Sequence, residues 1–239
     1  MILAIDIGNT RIKWGLHDGI GWHARGAVAL ADAASIALWL PRGHIDRTVI
    51  ANVAGVSVAE SIRAALGEDR GELIWARSLP EQCGVRNGYD DPSQLGVDRW
   101  VALIGAYGLH GGSCVVANAG TATTVDVLDE SGVFRGGIIL PGIELMRRAL
   151  AHGTAGLTLH AGAITEYPRT TADAIESGCM QAQLGAVERQ FAKIAAEPGA
   201  ICMVSGGAGA PLYEALQLPK RLIGNLVLEG LARIGAKAA

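Results

Sequence analysis

The chain has 239 residues, half of them apolar, with 20 Lys and Arg against 23 Asp and Glu. That is enough apolar chain to bury a core without disulfides or metal. The formal charge of -3, with no basic block, argues against a surface that grips phosphodiesters, so nucleic acid is not an expected partner.

In chain order, Ile2 to Ile5 form an apolar run leading into Asp6-Ile7-Gly8-Asn9-Thr10, after which Ile12, Trp14 and Leu16 alternate with Arg11, Lys13 and Gly15. The pattern predicts strand, tight turn, amphipathic strand. The start has no cationic leader and meets an acid at its sixth residue, so it does not read as a signal peptide, and a cytoplasmic location is expected. A helix is expected over Ala31 to Leu40, a strand over Arg47 to Val53 and a helix over Val58 to Leu66. Gly96-Val97-Asp98-Arg99-Trp100 opens a helix running to about Leu109.

From Trp100 to Val125 there is no Asp, Glu, Lys or Arg. The length would permit a membrane span, but His110-Gly111-Gly112-Ser113 interrupts it, and Asn118, Thr121, Thr123 and Thr124 would face lipid unpaired. The expectation is helix, turn and buried strand, with no membrane partner. Cys114 to Ala117 then lead into Asn118-Ala119-Gly120-Thr121 and the interleaved run Ala122 to Val127, so the first hairpin is repeated 112 residues on. Repetition at that spacing predicts a duplicated α/β unit, with halves at 1–112 and 113–239, each opened by a glycine hairpin.

Beyond it come an expected strand over Val133 to Leu140, a turn at Pro141-Gly142, a helix over Ile143 to Ala151 and a long helix over Ala172 to Ala196. A short strand, Ile201 to Val204, runs into Ser205-Gly206-Gly207-Ala208-Gly209, with helical segments to the end. Cys83, Cys114, Cys179 and Cys202 stand apart without C-x-x-C spacing and read as buried thiols rather than a zinc cage or redox pair. The five Trp are too dispersed for a stacking platform and are expected to pack in the core or an interface.

Glycine turns let backbone N–H groups approach phosphate oxygens. An Asp at such a turn can bind Mg2+ through water, Asn9, Thr10 and Thr121 offer short hydrogen-bonding groups, and Lys13 has the reach to meet a transferred phosphoryl group. Either hairpin alone also fits an ordinary turn. Two of them, with the late glycine cluster, resemble the phosphate and adenosine elements of actin-like kinases, while no P-loop and no dinucleotide fingerprint is present. Asp98 beside Arg99 suits a base for a hydroxyl proton and a clamp for a carboxylate; the plain alternative is an acid favoured by the helix dipole with a solvated Arg.

The set Asp6-x-Gly8-Asn9-Thr10, Gly96-x-Asp98-Arg99, Gly120-Thr121-Ala122-x-Thr124-x-Asp126 and Gly136-Gly137-x-Ile139-x-Pro141-Gly142 resembles the type III pantothenate kinases in content and order, over almost the whole chain. The resemblance implies an α/β fold of two ribonuclease-H-like halves, a homodimer, and transfer of a phosphoryl group from ATP to pantothenate at the start of coenzyme A synthesis. It places Asp6, Ile7, Gly8, Asn9, Thr10, Arg11, Ile12 and Lys13, with Thr121, at ATP, and Asp6 at Mg2+. Asp98 becomes the proton acceptor, and Tyr89, Gly96, Val97, Asp98, Arg99 and Thr171 bind pantothenate; Thr171 would also serve as an N-cap for the long helix. Asn118 stands where the family usually has an Asp of a monovalent-cation site for K+ or NH4+, which implies altered or reduced cation dependence. His152 and His160 receive no role. The alternatives from other classes are a catalytically silent accessory factor for transcription with the same fold, and an actin-like enzyme acting on a different hydroxy acid.

Overall fold

The structure is a computed structural model that describes residues 1–40, 43–67, 70–153 and 161–237. Strands β1 (Ile2–Ile7) and β2 (Arg11–His17) form the expected antiparallel hairpin, with Asp6 opposite Lys13 and Ile7 opposite Ile12. β3 (Trp22–Ala29) extends the meander. The chain then crosses to β4 (Arg47–Asn52), parallel to β1, and through α1 (Val56–Leu66) to β5 (Glu72–Trp75), parallel to β4. The sheet order is β3-β2-β1-β4-β5. The crossover over Leu30–Leu38 is a 3-10 helix, not the expected α-helix. Its two buried residues, Ala33 and Ile36, are three apart, which a three-residue turn places on one line.

A small hairpin, β6 (Glu81–Gln82) with β7 (Val85–Arg86), and a 3-10 turn at Pro92–Gln94 precede α2 (Val97–His110). α2 buries Trp100, Val101, Leu103 and Ile104, each side chain worth on the order of 2 kcal/mol in apolar area removed from water. The left-handed Gly111 ends it.

β8 (Cys114–Ala119), β9 (Ala122–Leu128) and β10 (Phe134–Pro141) form a second meander, followed by α3 (Ile143–Gly153) and α4 (Thr171–Phe191). β11 (Ile201–Ser205) pairs parallel with β8. After α5 (Gly209–Ala215), β12 (Lys220–Leu222) pairs parallel with β11, and α6 (Leu226–Lys237) follows. The order β10-β9-β8-β11-β12 repeats the first sheet strand for strand. The fold is thus a duplicated, ribonuclease-H-like α/β architecture.

One compact unit contains residues 1–111, 131–135 and 225–239, the other 112–130 and 136–224. The last residues, on sequence grounds part of the second half, therefore pack with the first, where α6 lies against α2 and β1. The uncharged stretch from Trp100 runs through α2, a turn and the β8–β9 hairpin. No described helix is long and apolar enough to cross a membrane. Cys114, Cys179 and Cys202 are buried free thiols, and burial pushes Cys114 and Cys202 up to about 12. Trp39 departs from the packing expectation, standing more than half exposed.

Candidate active site

The first hairpin closes with Gly8 N–H donating to the Arg11 carbonyl at 3.1 Å, leaving Asn9, Thr10 and Arg11 exposed at its tip. Ile7 and Ile12 are fully buried, so neither presents a side chain to a ligand. Asp6 is 7 % exposed, and its Oδ2 lies 4.0 Å from Lys13 Nζ across the strand pair. Burial pushes the Asp6 carboxyl up to about 6; the Lys13 ammonium opposes the rise, the Asp98 carboxylate adds to it, and the Asn225 amide opposes it. Two carboxylates predicted from separate motifs, Asp6 and Asp98, are therefore close enough to influence each other.

Asp98 sits in the first turn of α2, where its Oδ1 accepts the Arg99 backbone N–H at 2.9 Å. Gly96 leaves room for that carboxylate: a Cβ there would lie 2.9 Å from Asp98 Oδ1. Arg99 is not solvated, as the plain reading supposed, but 5 % exposed. Its Nη1 donates to the Tyr89 hydroxyl at 2.9 Å, and its guanidinium lies 5.7 Å from the centroids of both Tyr89 and Phe134. Tyr89, Gly96, Val97, Asp98 and Arg99 thus form one cluster at the start of α2.

In the second unit, Asn118 lies opposite Thr124 on β9 and Ser205 on β11. The turn closes from Gly120 N–H to the Ala122 carbonyl at 3.0 Å, and Thr121 is exposed at its tip. Two other predicted segments lock onto this hairpin. Gly142 N–H donates to the Thr121 carbonyl at 2.9 Å, and Ala208 N–H to the Ala119 carbonyl at 3.0 Å. Gly206, at φ +96°, could not carry a side chain, since a Cβ would meet the Ala119 carbonyl oxygen at 2.1 Å. The late glycine cluster is therefore seated on the second hairpin. Asp126 is buried two residues beyond Thr124 on β9.

The cap of the long helix is Thr170, not the expected Thr171: its hydroxyl accepts Asp173 N–H at 3.1 Å. Thr171 is released from that duty and lines a cavity of about 610 Å3 between α3 and α4, with Met146, Leu150, Ile175 and Cys179 among its walls. Arg147 joins the two helices by an ion pair to Glu176 at 3.2 Å. His152 is exposed near the end of α3, and His160 lies outside the described residues. Sequence reasoning missed Asn225, which reaches Asp6 from the last helix; an Asn ahead of a Leu-rich run signals a cap, not a site.

No group of three or more metal-ligating side chains occurs among the described residues. A lone buried carboxylate such as Asp6 suits Mg2+, which takes one or two carboxylates and completes its shell with water and phosphate.

The sequence model of the family described as type III pantothenate kinase matches residues 2–193. The chain belongs to this family. A type III pantothenate kinase of Aromatoleum aromaticum is 53% identical over 240 residues, covering 100% of this chain and 99% of the relative. Among solved structures, a protein of Campylobacter jejuni described as a Baf family transcriptional activator superposes with a TM-score of 0.66 at 21% identity, covering 99% of this chain and 98% of the other. An activator of 2-hydroxyisocaproyl-CoA dehydratase from Clostridium difficile, with bound ADPNP, gives 0.54 at 11% identity, covering 98% and 92%. At such identities these two structures speak for the fold alone, which is that of the actin-like kinases and ATPases. Family membership makes this pantothenate kinase relative an enzyme, a phosphotransferase.

Proposed function

We propose that the chain transfers the γ-phosphoryl group of ATP to the primary hydroxyl of pantothenate, the opening step of coenzyme A synthesis, with Asp98 as the base. The observation that carries this is the cluster at the start of α2: an oriented carboxylate at Asp98 beside a buried Arg99 tied to Tyr89. Arg99 and Tyr89 bind the acceptor's carboxylate end beside Gly96 and Val97, and Thr171 is a further residue assigned to pantothenate. Asp98 accepts the hydroxyl proton as the oxygen attacks the γ-phosphorus and the bond to ADP breaks.

Asp6 to Lys13 bind the ATP phosphates through the exposed turn and the Lys13 ammonium, and Thr121 contacts ATP from the second hairpin. Asp6, with water, is the residue that would hold Mg2+. When bound, Mg2+ supplies positive charge against the phosphates. Asn118 replaces a charged ligand by an amide, which weakens any hold on K+ or NH4+. A homodimer is supported by the apolar surface of the second unit, where Ile138, Ile139, Leu145 and Leu150 are exposed. The same assignment places the enzyme in the cytoplasm, without membrane or nucleic-acid partners. The accessory-factor reading is not favoured by the family match.

The test is ADP release by purified protein with pantothenate, and with other hydroxy acids in its place, for wild type and Asp98→Asn. Pantothenate-dependent turnover that falls about a thousandfold in Asp98→Asn is expected. Turnover with another hydroxy acid but not with pantothenate would replace the substrate assignment.

A further inference from the structure

Asn225 stands outside every motif above, yet it is buried, at 8 % exposure, within the first unit. Its Oδ1 accepts the Leu228 backbone N–H at 3.1 Å and so caps the first turn of α6. A backbone N–H can only donate, so the atom facing it is the oxygen, and the NH2 group must point elsewhere. That NH2 lies near the Asp6 carboxylate, whose ionised form it favours, without closing a hydrogen bond of normal geometry to any described group. A buried amide donor left open is costly, and it persists where something uses it.

A cap alone does not explain this residue. Ser, Thr or Asp also supplies an oxygen to a helix start, whereas only Asn among these cap residues carries an NH2 group separate from its capping oxygen. α6 ends the described chain but packs against β1, so the fold returns to deliver that donor beside the residue that opens the first hairpin. Lys13 already supplies charge to Asp6, at 4.0 Å and on a long flexible stem. An amide clamped at its oxygen supplies direction instead.

We propose that Asn225 is a positioning residue: anchored by its cap on α6, its amide holds the Asp6 carboxylate in one orientation for its work on the nucleotide phosphates. This rests on the kinase reading of the first hairpin and extends it to the end of the chain.

Asn225→Asp keeps an oxygen for the Leu228 N–H and removes the donor, and Asn225→Ser keeps an oxygen but exchanges the amide NH2 for a hydroxyl on a shorter stem; Asn225→Ala removes cap and donor together. Thermal unfolding reads the cap, titration calorimetry with ATP and Mg2+ alone reads the site, and steady-state kinetics separate kcat from KM. The Ser variant should melt within roughly 3 °C of wild type, because the cap survives, while a second buried carboxylate lowers the Asp variant further. They should bind ATP with Mg2+ about tenfold more weakly and lose about tenfold in kcat, as expected when a hydrogen bond to a charged group is lost, with little change in KM for pantothenate. The Asp variant, which sets a second carboxylate beside Asp6, should be the weaker of the two. Nucleotide affinity and kcat within about twofold of wild type in both capped variants, with a loss of stability in Asn225→Ala, would reduce Asn225 to a helix cap and overturn the proposal. Were wild type to leave pantothenate unphosphorylated, the substrate reading would fall, while the nucleotide titrations would still decide the role of Asn225.

Discussion

The two glycine hairpins occupy the same place in two sheets of identical strand order, and they differ in charge. The penultimate residue of the leading strand is Asp6 in the first, with Lys13 opposite, and Asn118 in the second, with Thr124 opposite. On the parallel neighbour the partners are Ala51 and Ser205. Both turns are closed by a glycine N–H, reaching the third residue on at Gly8 and the second at Gly120. The closed backbone turn thus comes with the fold and is present twice. The ionic chemistry belongs to side chains, and only the first copy carries an acid at this position.

The sharpest way to break this comparison is to give the first hairpin the second one's side chain. Asp6→Asn is expected to lower kcat about a hundredfold, measured as phosphopantothenate formed at saturating substrates. The same variant should gain stability. The Asp6 carboxyl moves from 3.8 to about 6 on folding, so between those values the native state holds more protons than the unfolded chain. Wild type therefore loses stability as pH rises through that window, by at most about 3 kcal/mol, and Asp6→Asn does not. Melting curves of the two proteins should differ above pH 6 and converge below pH 4, the variant being the more stable.

A smaller effect is expected from the seat of the second hairpin. Gly206→Ala combines a left-handed backbone with a clash on the Ala119 carbonyl, and should cost about 1–3 kcal/mol in denaturant unfolding, with a higher KM for ATP. The smallest effect is expected from Asn118→Asp, which restores an acid to the second hairpin. It should leave kcat at saturating K+ nearly unchanged and strengthen activation by K+ about fivefold or less, the worth of one partly exposed charge. Equal, strong activation of wild type and variant by K+ would show that the amide already suffices.

Both hairpins and α2 were legible in the sequence because alternation and glycine turns are local signals, and so was the duplication they imply. β3 was not, because its pattern is interrupted where Gly26 lies under the Trp14 ring, as Gly15 lies under Trp22. β5 and β12 are short edge strands of four and three residues, too brief to show a period. Of the candidate site, the motifs were legible as motifs, and the structure brings Arg99 to Tyr89 and sets Asp98 near Asp6. The capping role at the long helix moved by one residue, from Thr171 to Thr170, because the backbone is still extended at Thr170 and helical from Thr171, a boundary that two adjacent Thr leave open in the sequence. Asn225 was beyond reach: its partner Asp6 lies at the opposite end of the chain, and only the return of α6 to the first unit brings them together.

The central claim is that the first hairpin holds the charged chemistry of phosphoryl transfer. Its most direct test is single-turnover transfer from ATP to pantothenate with Asp6→Asn and Asn118→Asp measured side by side. The account predicts a near-complete loss of transfer in the first and a rate close to wild type in the second. Transfer preserved in Asp6→Asn, or lost equally in Asn118→Asp, would contradict it.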